Sequence, residues 1–148
     1  MKKISILLKI FLLICVCCTG CKSDARQEDN TIDETLLVTE QNSVVSPSGE
    51  YILEIYKSHD GSVTGFHIKV SSFQEGKEVF RSEEFFAFRH VNFLTWGEND
   101  AFWIYSGDLG VFYWEKTDTS WVKKGYIENK GEIDAPDILK KLRPRSFQ

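Results

Sequence analysis

The chain has 148 residues, 42% of them hydrophobic and 14% aromatic, with a net charge of −4. That length holds one domain, and the acidic balance excludes a basic footprint for nucleic acid. Its four cysteines, Cys15, Cys17, Cys18 and Cys21, lie close to the N-terminus and leave the rest of the sequence without a disulfide staple.

Lys2 and Lys3 open the chain, followed by an apolar run from Ile4 to Val16 and then Thr19-Gly20-Cys21. This order, positive start, apolar middle and small residues at the end, is that of a secretory signal. Lys9 interrupts the run, which therefore falls short of the roughly 20 mostly apolar residues of a membrane span. Cys18-Thr19-Gly20-Cys21 resembles the signal end of the bacterial lipoprotein class at three positions, with Cys18 where Leu is usual. The resemblance covers only about the first 21 residues and implies a signal peptide over 1–20. It also implies a diacylglyceryl thioether on Cys21, which becomes the new N-terminus. Two acyl chains, at about 0.8 kcal/mol per buried CH₂, hold a protein stably to a bilayer. The implied location is the cell envelope, on the extracytoplasmic side of a membrane. Removing Lys2, Lys3 and Lys9 with the signal takes the net charge from −4 to −7. With that charge the bilayer is met through the lipid, with no polybasic contribution.

Residues 22–43 carry six acids against two bases, with little apolar content beyond Leu36, Leu37 and Val38. That composition predicts a disordered tether, so the expected layout is a lipidated cysteine and acidic tether over 21–43, then a β-rich domain over 44–148. A flexible tether of this length spans on the order of 25 Å.

Ser46-Pro47-Ser48-Gly49 predicts a turn, and seven strands follow in the sequence from Tyr51. They are Tyr51 to Tyr56, Gly65 to Ser71, Glu78 to Ser82, Val91 to Trp96, Ala101 to Tyr105, Leu109 to Lys116 and Trp121 to Glu128. The two-residue period puts Tyr51, Leu53 and Ile55 on one face of the first, and Phe66, Ile68 and Val70 on one face of the second. His59-Asp60-Gly61-Ser62 supplies the hairpin turn between them. Thirteen of the twenty aromatic residues, including every tryptophan, fall between Phe85 and Tyr126. In that stretch the alternation is apolar on both faces, the mark of strands covered twice. Asp134 is the expected cap of a short helix that has Pro136 in its first turn, ends near Leu142 and is stopped by Pro144. Leu139 and Leu142 share the face expected to cover an end of the sheet, with Lys140, Lys141 and Arg143 in water. The expected fold is all-β, an antiparallel meander or small β-sandwich of about six or seven strands with a short C-terminal helix.

Ser46 to Leu53 also resembles the strand-opening turn of β-propeller blades, echoed about 50 residues later by Thr95 to Tyr105. Propellers use typically four to eight blades, and the residues after Ser43 suffice for about two. The shared feature is therefore hairpin chemistry.

No G-x-S-x-G elbow is present, and His59, His67 and His90 lack metal-ligand spacing. No cofactor is expected. A hydrolase would have to draw on carboxylates such as Glu83, Glu84, Asp100 or Asp108 gathered in one cleft. The residues best suited to recognition are Trp103, Tyr105 and Tyr113, with Trp114 beside them, because Tyr and Trp dominate binding hot spots, together with Asp108, which its loop can offer to calcium or a sugar or use simply as a turn former. The same rings are also what a domain without disulfides uses to fill its core. The leading expectation is a non-enzymatic, membrane-anchored lipoprotein whose β domain binds an envelope partner, protein or glycan. The alternatives are an accessory or immunity-type subunit for one cognate protein and a small carboxylate-based hydrolase.

Overall fold

The computed structural model describes residues 31–148, which form one unit from Thr31 to Gln148. The expected signal segment and Cys21 lie outside the described residues. The chain is mostly β. β1 (Val44–Val45), β2 (Tyr51–Asp60), β3 (Val63–Ser72), β4 (Glu78–Arg81) and β5 (Phe86–Ala87) make one sheet, in the order β1-β2-β3-β4 with β5 also paired to β3. β6 (Asn92–Trp96), β7 (Phe102–Ser106), β8 (Gly110–Lys116) and β9 (Trp121–Gly125) make a second sheet in sequence order. All pairings within the two sheets are antiparallel. The seven expected strands form, joined by the two-residue β1 and β5, but the last ends at Gly125 and not at Glu128, because the chain turns there with Asn129 N donating to Tyr126 O.

The register follows the alternation. Leu53 pairs with Val70 and Ile55 with Ile68, so the apolar residues of β2 and β3 share one face. The hairpin pivots one residue later than the sequence suggests, because Asp60 still pairs with Val63 and the turn is Gly61-Ser62. Gly61, at φ +57°, takes the left-handed conformation that such a turn needs.

The inward face of the first sheet meets one face of the second. Leu53, Phe66, Ile68, Val70 and Phe86 pack in one buried cluster with Leu94, Trp96, Phe102, Ile104, Trp114 and Trp121. Within it Phe102 stacks on Trp114 at 5.0 Å, and Trp121 meets Tyr51 edge-on at 5.0 Å. The indole N–H groups at its border are satisfied, Trp96 Nε1 donating to Val44 O at 2.8 Å and Trp121 Nε1 to Asp100 O at 2.9 Å. The outer face of the first sheet carries polar pairs instead, with Lys69 3.1 Å from Glu54 and the Arg81 guanidinium 3.5 Å above the Tyr56 ring.

The second sheet has a further core on its other side. Trp103, Val111 and Tyr113 pack there with Leu37, Tyr126, Ala135 and two residues of α1 (Asp137–Leu142), Ile138 and Leu139. β7 and β8 are thus covered twice, which is why both of their faces are apolar. α1 covers a face of this sheet and is capped by Pro136, with no side-chain cap bond from Asp134. The Pro136 carbonyl accepts from the N–H groups of Leu139 and Lys140. Arg143, expected in water, lays its guanidinium over Phe93 and Tyr105 at 5.3 and 5.2 Å.

The segment expected to be a tether is part of the fold from Thr31 onward. Asp33 caps a single 3-10 turn, Glu34–Leu36, after which Leu37 and Val38 are buried, one in each core. Val38 N donates to Leu94 O at 2.8 Å, and Thr95 Oγ1 donates to Leu36 O at 2.8 Å. Consecutive apolar residues in an extended backbone point to opposite sides, so one short strap serves both cores. Average composition hides such a pair among its charged neighbours.

Candidate functional site

The turn between β7 and β8 stands at one end of the second sheet. Ser106 Oγ, buried at the end of β7, donates to Asp108 Oδ1 at 2.7 Å. His90 Nε2 lies 3.4 Å from Asp108 Oδ2. The Ser106 hydroxyl, followed by the charge of His90, holds the Asp108 carboxyl below the usual range for aspartate. Gly107 N donates to Val91 O at 2.8 Å, which pins the turn to the segment before β6.

Beside this turn runs an open groove of about 660 Å³. Tyr105, Asp108 and Leu109 line it from the turn, Tyr126, Ile127 and Lys130 from the loop after β9, and Arg145 from the C-terminal tail. Leu109 is 48% exposed and Ile127 78% exposed, the largest exposure of a bulky apolar side chain among the described residues. Lys130 and Arg145 have no carboxylate within ion-pair distance among the described residues. Glu128, next to Ile127, lays its carboxylate over Gly125.

Of the four residues expected to bind a ligand, the structure brings Tyr105 and Asp108 to the groove. Trp103 and Tyr113 are elsewhere. Both are fully buried, stacked on one another at 4.6 Å in the second core under α1, where no ligand reaches them. Their phase in the strand is that of Thr95 and Lys124, and the packing of α1 and Leu37 closes this face toward its middle. Trp114 is buried in the inter-sheet core. Leu109, Ile127, Lys130 and Arg145 carry no motif. Only Arg145 has a signal in the sequence, as the end of the run Lys140, Lys141, Arg143 and Arg145, which has no acid after Asp137.

The carboxylates considered for hydrolysis have separate partners. Glu84 accepts from Lys123 Nζ at 2.6 Å, Asp100 Oδ1 accepts from Ser48 N at 3.0 Å, and Glu83 is exposed. Asp100 and Asp108 flank opposite ends of β7, on the order of 17 Å of strand apart. The Ser106 hydroxyl gives its hydrogen to a carboxylate, whereas a serine nucleophile gives it to an imidazole or another base. His59 contacts Thr64 and His67 contacts the Ser82 carbonyl. No group of three metal-ligating side chains occurs among the described residues, and no helix among them is long and apolar enough to cross a membrane.

Comparison of the chain with family models, curated proteins and solved structures returned no match.

Proposed function

We propose that this protein is a lipid-anchored binding module of the cell envelope, held to a membrane through Cys21, whose β domain engages an extracytoplasmic partner without transforming it. The observation that carries this reading is the groove, where exposed Leu109 and Ile127 stand beside two cations that have no carboxylate partner among the described residues. Exposed apolar side chains rimmed by charge are what a protein surface keeps for association. The export segment supports the location, because its Lys2-to-Cys21 layout is that of a lipoprotein signal.

The experiment is a crosslinking pull-down from membranes of cells making the full chain, with Cys21→Ala in parallel. The wild type stays in the membrane fraction, carries label from fatty acid and captures a reproducible envelope component. Cys21→Ala loses the label and leaves the membrane. A Cys21→Ala protein that still labels, or a product that retains Met1 to Gly20, ends the anchoring claim. Turnover of an envelope substrate by the purified chain, abolished by a point substitution, ends the claim that the domain only binds.

A further inference from the structure

Resting on the binding-module reading, we infer that the groove between the β7–β8 turn and the C-terminal tail takes an extended peptide segment that places an aliphatic side chain next to a carboxylate. The two exposed aliphatic residues, Leu109 and Ile127, offer a contact for an apolar side chain of a partner. Lys130 and Arg145 line the same groove, and Arg145 brings the planar fork that matches a carboxylate. The acid in the groove, Asp108, is held by Ser106 and His90 and pairs with neither cation, so its single charge offsets the two only in part.

The charge contrast gives the preference a direction. The whole chain is acidic, at −4, which disfavours an acidic segment on average. Such a segment is attracted where Lys130 and Arg145, two cations against the one carboxylate of Asp108, line the groove with no ion-pair partner among the described residues. The groove offers little to a neutral sugar, because its rings are in use. Tyr105 lies against Phe93 and under Arg143, and Tyr126 is buried against Trp103 and Phe147. Sugar recognition by stacking needs an open ring face, and neither tyrosine presents one. A second hollow, lined by Ile55, Phe66, Phe88 and Leu94, lacks this combination. The cation beside it, Lys57, is paired to Glu40 at 3.1 Å.

The test uses the full chain extracted in detergent and a display library of random peptides of about 12 residues, the length of a short extended recognition segment. Enriched peptides are expected to share an aliphatic residue flanked by Asp or Glu. A chain with Lys130→Glu and Arg145→Glu is expected to bind them about tenfold or more weakly, as loss of charge-assisted contacts implies. Lys77→Glu with Lys141→Glu, both exposed and absent from the groove, makes the same charge change and is expected to bind within about twofold of wild type. Lys130 and Arg145 are exposed as well, and an unchanged melting curve shows that the fold is intact.

Failure to enrich any peptide overturns the inference. So does a consensus without acids, equal binding by the doubly reversed chain, or equal competition by inorganic polyphosphate, which would make the groove a general anion site. A membrane crosslink that survives the double reversal removes this groove as the contact and leaves the binding-module reading in place.

Discussion

Ser48 donates its backbone N–H to Oδ1 of Asp100 at 3.0 Å, tying the turn before β2 to the turn before β7. The two turns belong to different sheets, and they are also the two segments that resemble each other in the sequence. Asp100 is buried, and its own carbonyl receives the Trp121 indole N–H. Both Asn99 and Asp100 sit at positive φ, +54° and +55°, a conformation that short polar side chains tolerate better than others. Asp100→Ala removes the acceptor and places a less suitable residue in that conformation. A loss of about 2–4 kcal/mol is expected in denaturant unfolding of the purified chain. Asp100→Asn keeps an acceptor and the same tolerance, with an expected loss under about 1 kcal/mol. Equal losses for the two variants would show that the Ser48 bond is not what the carboxylate contributes.

Gly97 marks a close approach of backbone to the buried Trp103 ring. A Cβ at this position would lie 2.6 Å from Trp103 Nε1 and 2.8 Å from its Cδ1. Gly97→Ala is therefore expected to destabilise by about 1–3 kcal/mol, the usual result of overpacking a core. Trp103 Nε1 has no hydrogen-bond partner among the described residues, so Trp103→Phe loses no bond there and removes the nitrogen that makes the closer of the two clashes. The double variant should recover part of the loss, with a coupling of about 0.5–3 kcal/mol in a double-mutant cycle. Strict additivity would place the cost of Gly97→Ala somewhere other than the indole.

The strands were readable because their apolar residues recur every second position and Gly, Asp and Pro punctuate the turns. Leu53 against Val70 and Ile55 against Ile68 follow from that alone. β1 and β5 were not readable, since two residues carry no period and become strands only by pairing with β2 and β3. The apolar double face of β7 told that both sides are covered, and left open which side holds Trp103. That was settled by α1, whose Leu139 reaches the Trp103 side. Half of the expected ligand-binding set fell into the core for this reason. The cations of the groove, Lys130 and Arg145, are fifteen positions apart in the chain, and no local pattern announces a meeting made by tertiary folding.

Leu37 and Val38 move the start of the folded domain ahead of Val44. A chain beginning at Val44 loses both side chains from the two cores, at about 1.5–3 kcal/mol each. It also leaves Thr95 Oγ1 and Leu94 O without the strap's carbonyl and N–H. Thermal unfolding should place it well below a chain beginning at Thr31, or show no cooperative transition. Val38→Ala in the full chain is the milder variant, expected to cost about 1–3 kcal/mol. Matching melting curves for the Val44 and Thr31 chains would return residues 31–43 to the role of a tether.

Asp108 gives the groove a dependence on acid. Its carboxyl is held below the ordinary value of 3.8, first by the Ser106 hydroxyl and also by the charge of His90. A group whose folded value is depressed binds its proton less readily in the folded chain than in the unfolded one. Its contribution to stability is therefore complete above the unfolded value and is lost as pH falls through the folded one. Stability measured by denaturant midpoint from about pH 5 down to about pH 2 should fall more steeply for the wild type than for Asp108→Asn. Ser106→Ala removes the larger cause and should flatten the curve nearly as much. The Glu78 carboxyl, lowered mainly by its hydrogen bond from Arg81, titrates in the same region in all three proteins and cancels from the comparison. Superimposable curves would mean that the Ser106 bond does not favour the ionised carboxylate.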